Sequence, residues 1–154
     1  MRAIPTKYEG VNFRSRLEAR WAALFDLAGW SWSYEPFDLS GWAPDFAIHT
    51  KSGDVLVEVK PVALKWFDNQ FRTLPDDPSF AKAKAHWPAH WILLLGQEPQ
   101  EHSDLFSIGR MMDPPSTAEC NWMEMNDALC LPDSGTKWRT AGNKVQWRRV
   151  TPNA

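Results

Sequence analysis

The stretch that decides the fold is "PDFAIHTKSGDVLVEVK", Pro44–Lys60. It reads as two strands, "DFAIHT" and the Val-rich "VLVEVKPV", joined by the turn-forming residues of "KSGD". Side chains alternate along a strand. Val55, Val57 and Val59 therefore share one face, and Leu56, Glu58 and Lys60 the other. Glu58 and Lys60 fall roughly 7 Å apart along the strand. In the preceding strand Phe46 and Ile48 take one face, and Asp45 with Ala47 the other. The short loop makes the two strands an antiparallel hairpin, which brings Asp45 towards Glu58. Two carboxylates held close repel unless a cation sits between them. Mg²⁺ is the natural candidate, because it takes oxygen ligands and keeps several waters. A lysine beside such an ion orients the attacking water and stabilises developing charge, as phosphodiester hydrolysis requires. The plainer alternative is a same-face Glu58–Lys60 ion pair, with Asp45 capping a turn.

Working outward, "RSRLEARWAALFDLAGW" reads as a helix, with Leu17, Trp21, Leu24, Phe25 and Ala28 at helical spacing and Gly29 at its end. "YEGVNF" is a lead-in, "WSYEPF" a short strand and "LSGWAP" a turn. After the hairpin, "WFDNQFRTL" and "SFAKAKAHW" read as short helices split by "PDDP". "HWILLLG" is apolar throughout and reads as a strand buried on both faces. "LFSIGRMM" suits an edge strand, residues 121–129 a further helix, and "KVQWRRV" a strand or an arm. The order of elements predicts a mixed sheet flanked by helices.

The chain of 154 residues suits one domain with a real core. It contains no apolar run of membrane-spanning length and no signal-peptide pattern at its start, which predicts a cytoplasmic protein without a membrane partner. Cys120 and Cys130 stand outside any zinc or redox pattern and read as free thiols in a reducing compartment. His86 and His90 have metal-ligand spacing, but Pro88 between them breaks the helix that would align them. No Gly-rich phosphate loop and no Ser-His-Asp set is evident. The formal net charge is −2, yet Lys137, Arg139, Lys144, Arg148 and Arg149 fall in a stretch without acidic residues, and Arg14, Arg16 and Arg20 cluster near the start. A balanced total can hide a basic face. Residues 98–133 are, by contrast, strongly acidic.

"PD" at 44–45, twelve intervening residues and "EVK" at 58–60 resemble the motif of the PD-(D/E)xK nuclease superfamily. "KYEGVNFRSRLEARWA", Lys7–Ala22, and "AGNKVQW", Ala141–Trp147, are similar to segments of its small phage-encoded and prophage-encoded members. The resemblance covers residues 8–96 and this short tail, leaving 97–154 as an extension of one 1–154 nuclease domain. It implies a restriction-endonuclease-like α/β core, with a central mixed β-sheet flanked by helices. It implies a metal-dependent DNA endonuclease, in the bacterial host cytoplasm if phage-encoded. Asp45, Glu58 and the Val59 carbonyl would hold Mg²⁺, for which Mn²⁺ substitutes, and Lys60 would position the water. Glu18 matches the acidic residue of the first helix. On a helical wheel it falls about 20° beyond Phe25, at the rim of the apolar arc. Ser15-x-x-Glu18 also fits a capping box.

DNA phosphates would meet Arg14, Arg16, Lys137, Arg139, Lys144, Arg148 and Arg149, with Trp138 or Trp147 as a stacking ring. Arg14 could instead pair with a carboxylate. Glu35, Lys82 and Lys84 are weaker candidates that suit solvated surface equally well. Two alternatives stand beside the general endonuclease. One is a branched-DNA (Holliday junction) resolvase, which cuts two strands and so favours a homodimer. The other is a non-catalytic DNA-binding module with a nuclease-like fold. RNA is a further substrate that nothing in the sequence separates from DNA.

Overall fold

The computed structural model describes residues 3–64, 78–100, 108–112 and 122–146, except the side chains of Trp122 and Asn126. Thr6–Tyr8 (β1) and Val11–Phe13 (β2) form an antiparallel hairpin. Its turn places Glu9 and Gly10 at φ 48° and 78°, the left-handed region that glycine enters without penalty. Segment "YEGVNF" is thus part of a small second sheet rather than a lead-in.

Helix α1 spans Arg16–Leu27, with Ser15 as N-cap. Five strands follow: β3 (Ser31–Tyr34), β4 (Phe46–Thr50), β5 (Gly53–Val59), β6 (Trp91–Leu95) and β7 (Arg110–Met111). They form one sheet in the order β3-β4-β5-β6-β7. All neighbours are antiparallel except β5 and β6, which are parallel. The fold is therefore mixed α/β, with a five-stranded mixed sheet flanked by helices. The expected "SFAKAKAHW" helix shortens to a 3-10 turn, Pro78–Phe80, and helix α2, Ala81–Lys84. No side chain caps its start. The preceding "WFDNQFRTL" lies outside the described residues.

The alternation read in β4 and β5 divides the core in two. Phe46, Ile48, Val55, Val57 and Val59 pack beneath α1. Ala47 and Leu56 face the other way, onto Trp42, Phe80, Ala83 and Met112. Phe46 centres an aromatic cluster, with Phe25 and Trp32 edge-on at centroid distances of 5.2 and 5.7 Å. Burying one such ring contributes about 1.5–3 kcal/mol. Residues 92–95 of β6 are wholly buried, as its apolar run predicts.

Two further helices, α3 (Trp122–Ala128) and α4 (Ser134–Lys144), complete the fold. Of "KVQWRRV", Lys144 ends α4 and Val145 is its C-cap rather than part of a strand, whereas residues 147–150 lie outside the described residues. Trp138, Ala141 and Val145 recur at helical spacing and join the core beneath α1. Among the described residues no helix is long and apolar enough to cross a membrane.

Candidate functional site

The antiparallel register pairs Ala47 with Leu56 and Phe46 with Val57. One step further, the Asp45 N–H donates to the Val57 carbonyl at 2.9 Å. Asp45 thereby sits beside Glu58, as the sequence predicts. The Val59 N–H, beyond the last paired residue of β4, donates to Oδ2 of Asp45 at 2.7 Å. N–H and C=O of one strand residue project to the same side of the strand, so the Val59 carbonyl is directed to the Asp45 side as well. Lys60 donates its N–H to Leu95 on β6 at 3.0 Å, which anchors the end of β5.

Glu58 is buried and carries two charge-compensating contacts. Lys60 Nζ lies 3.2 Å from Oε1, and the Trp42 indole N–H donates to Oε2. Trp42 is held in the turn between β3 and β4 by paired backbone hydrogen bonds with Leu39. His86 braces this turn: its ring reaches the Ser40 carbonyl at 2.7 Å and packs on Trp42. The sequence analysis missed this role of Trp42. The signal was its place three residues before Asp45, in "GWAPD".

Asp45 is the most perturbed carboxyl of the group. Burial first, and then the neighbouring Glu58 charge, push its pKa up to about 8. The Val59 N–H and Lys60 oppose this shift, whereas Glu18 adds to it. Glu18 is thus within electrostatic reach, although it comes from α1 on the other face of the sheet. Its own oxygens are engaged: the Ser15 hydroxyl donates to Oε1 at 2.8 Å and the Tyr34 hydroxyl to Oε2 at 3.1 Å. The Glu18 N–H donates to Ser15 Oγ at 3.1 Å, so the helix-capping reading also holds. Glu18 thus sits in the first turn of α1 as the partner of its Ser15 cap, with its charge within reach of Asp45.

A hard divalent cation fits the chemistry of Asp45 and Glu58, two adjacent carboxylates in surplus over one lysine. Oδ1 of Asp45 accepts no hydrogen bond among the described residues. Among those residues no group of three or more His, Cys, Asp and Glu is arranged to hold a metal ion. The protein groups that would hold such an ion are Asp45, Glu58 and the Val59 carbonyl, with water completing the sphere.

The expected nucleic-acid contacts divide. Arg14 lies 2.6 Å from Glu35 in an ion pair on the surface, which realises the carboxylate-pairing alternative. Lys137 donates to the Pro132 carbonyl at 2.7 Å. Arg16 and Arg139 line one cleft between α1 and α4. Lys144 is exposed in the last turn of α4, and Lys82 is exposed on α2. Trp147, Arg148 and Arg149 lie outside the described residues. The stacking role for Trp138 is corrected: its ring is buried, 4.6 Å from that of Trp21 and under the Arg20 guanidinium. Cys130 is a free, exposed thiol, and Cys120 falls outside the described residues.

One constellation escaped the sequence analysis. His49 connects Ser33 Oγ, 2.8 Å from Nε2, to Asp54 Oδ1, 2.9 Å from Nδ1. The three stand on neighbouring strands of one sheet face, and His49 and Asp54 are register partners. Only strand register brings them together, so sequence spacing carried no sign of the set. A Ser-His-Asp nucleophile also needs donors for an oxyanion. Ser33 lies on edge strand β3, and its contact with His49 is exposed rather than set in a cleft. We read the set as a surface network that orients His49.

Comparison of the chain with protein-family models, curated proteins and solved structures finds no match.

Proposed function

We propose that this chain is a metal-dependent endonuclease that hydrolyses phosphodiester bonds in DNA. The observation that carries the reading is the placing of Asp45 and Glu58 side by side at the ends of two paired strands, with Lys60 on Glu58. Asp45, Glu58 and the Val59 carbonyl would hold Mg²⁺ or Mn²⁺. Such an ion supplies a Lewis acid for the phosphate and lowers the pKa of a bound water.

The chain's own residues divide the remaining work. Lys60, whose side chain is 34% exposed, presents an ammonium that orients the attacking water and balances charge developing on the phosphate. Trp42 fixes the Glu58 carboxylate through its indole N–H. Tyr34 and Ser15 fix Glu18. Glu18 acts on the site through its charge or through water. The resemblance of "PD…EVK" and of Lys7–Ala22 to PD-(D/E)xK nucleases supports the same reading, and a branched-DNA resolvase is its variant for a dimer.

A second reading has a specific observation in its favour. Both oxygens of Glu58 and both of Glu18 already have protein partners, as suits a non-catalytic DNA-binding module. Cleavage of supercoiled plasmid and of a labelled four-way junction, with Mg²⁺ or Mn²⁺, separates the two. Wild type should cut and Lys60→Ala should lose about 10²–10⁴-fold in rate, the range for a positioned proton-transfer or charge-stabilising group. Binding of DNA without cutting by either protein would favour the module. Preference for the junction would favour the resolvase.

A further inference from the structure

Helices α1 and α4 enclose a cleft of about 360 Å³ lined by Arg16, Arg20, Arg139, Asn143 and Gln146. Arg16 and Glu18 are two residues apart on α1, which turns their side chains roughly 200° from one another. The cleft is therefore distinct from the carboxylate site. Arg139 and Asn143 are four residues apart on α4, which places their side chains on one side, and Gln146, just past the C-cap, joins them in the lining. Lys137 and Lys144 share another.

The arginines are held at different levels of commitment. Arg20 is fixed: Nε and Nη2 donate to the Trp138 carbonyl at 3.0 and 2.8 Å. Its Cζ lies 4.0 Å from the centroid of the Trp138 ring. Gly142 permits this approach, because a Cβ there would lie 2.8 Å from Arg20 Cζ. Two of the five N–H donors of Arg20 serve Trp138, leaving others for a ligand. Arg139 is exposed and makes one long contact, to Thr136 Oγ1 at 3.3 Å. Arg16 is the anomaly, since its Nε is buried and has no hydrogen-bond partner among the described residues. Buried donors are normally satisfied, and an orphan of this kind signals a missing acceptor. Among the described residues the acidic group that faces this region is Glu98, whose charge reaches Arg20 and which lines an adjoining cleft with Trp138 and Arg139. Among the described residues three guanidinium groups thus line or adjoin the cleft, with one carboxylate at the margin.

We propose that this cleft is a preformed binding site for a phosphate group. Arg16 and Arg139 are its direct ligands, Arg20 its fixed cationic wall, and Asn143 and Gln146 its neutral donors. Guanidinium forks match the paired oxygens of a phosphate, and burial strengthens the contact. A phosphodiester of nucleic acid and a free phosphate or phosphomonoester share this chemistry. The nucleic-acid source rests on the function proposed above, whereas the anion site itself does not.

The test follows the Arg Nε–H resonances of the full chain by NMR, with EDTA present so that no cleavage intervenes. Inorganic phosphate should move the Arg16 Nε–H signal saturably, unlike chloride at equal ionic strength. Arg139→Gln should weaken the phosphate midpoint about tenfold or more, the loss expected for a charge-assisted hydrogen bond. Duplex DNA forms the second arm. If nucleic acid is the source, DNA displaces phosphate, and Arg16→Gln lowers the slope of log affinity against log salt by about one. If phosphate saturates the site and DNA leaves the Arg16 signal in place, the anion site stands with free phosphate or a phosphomonoester as its ligand. A linear, chloride-like response, or an unchanged midpoint in Arg139→Gln, overturns the proposal. Lys60→Ala should keep the wild-type phosphate midpoint, so failure of the nuclease reading would be seen separately in the cleavage assay.

Discussion

Asp45 makes the metal-free protein lose stability as pH rises, opposite in sign to an ordinary ion-paired aspartate. The carboxyl titrates near its usual value of about 3.9 in the unfolded chain but at about 8 in the folded one. Between those values the folded state holds a proton that the unfolded state has released, so stability falls with increasing pH. A gap of about four units at about 1.4 kcal/mol each sets a ceiling of about 5–6 kcal/mol. Solvent contact with the partly exposed carboxyl screens the Glu58 charge and brings the working figure to about 2–3 kcal/mol. For a chain of this length that corresponds to a Tm about 4–12 °C lower at the alkaline end.

Asp45→Asn keeps an acceptor for the Val59 N–H and removes the ionisation. Its melting temperature should vary much less over the same range, and at about pH 8.5 it should equal or exceed that of wild type. The assay is thermal unfolding in EDTA at about pH 5.5, 7.0 and 8.5, followed by tryptophan fluorescence. The same pH slope in both proteins, or a wild type that gains on the variant as pH rises, would refute the reasoning.

Three further predictions follow from contacts around the site. Trp42→Phe removes the indole N–H from buried Glu58 and should cost about 1–3 kcal/mol in urea unfolding, with a coupling above about 0.5 kcal/mol to Glu58→Gln; additive losses would count against the contact. Gly96→Ala would set a Cβ 2.5 Å from the Val62 backbone carbonyl oxygen and 3.0 Å from Leu64 Cγ, and should cost about 2 kcal/mol or more. An unchanged unfolding midpoint would contradict that packing. Ser33→Ala should leave DNA cleavage within about twofold of wild type, because Ser33 serves only the His49 network; a loss of about tenfold or more in rate, about 1.4 kcal/mol, would give that network a catalytic role.

The β4–β5 hairpin was legible because its period of two and its Gly-containing turn agree, and that register alone sets Asp45 beside Glu58. Strand β6 was legible for a different reason: an apolar run with nowhere to go but between two strands. Helix α4 went unassigned because its polar residues outnumber its core residues, although Trp138, Ala141 and Val145 already stood at helical spacing. The stretch was read only for its run of basic charge. Hairpin β1–β2 hid behind strands of three residues, too short for a visible alternation. In the site, Asp45, Glu58 and Lys60 share one local motif and were readable together. Trp42, Tyr34 and the Ser33–His49–Asp54 set depend on loop closure and strand pairing between segments, which residue spacing does not encode. The cleft between α1 and α4 likewise joins residues more than a hundred positions apart in the chain.

The central claim is that Asp45 and Glu58 form a cation site, and calorimetric titration of Mn²⁺ tests it most directly. At about pH 7 the account predicts one binding event, with release of close to one proton as Asp45 ionises. Proton release is read by repeating the titration in buffers of different ionisation enthalpy. Asp45→Asn should abolish the event, while Ser33→Ala should leave it intact. Absence of Mn²⁺ binding by wild type, or an identical isotherm for Asp45→Asn, would contradict the account.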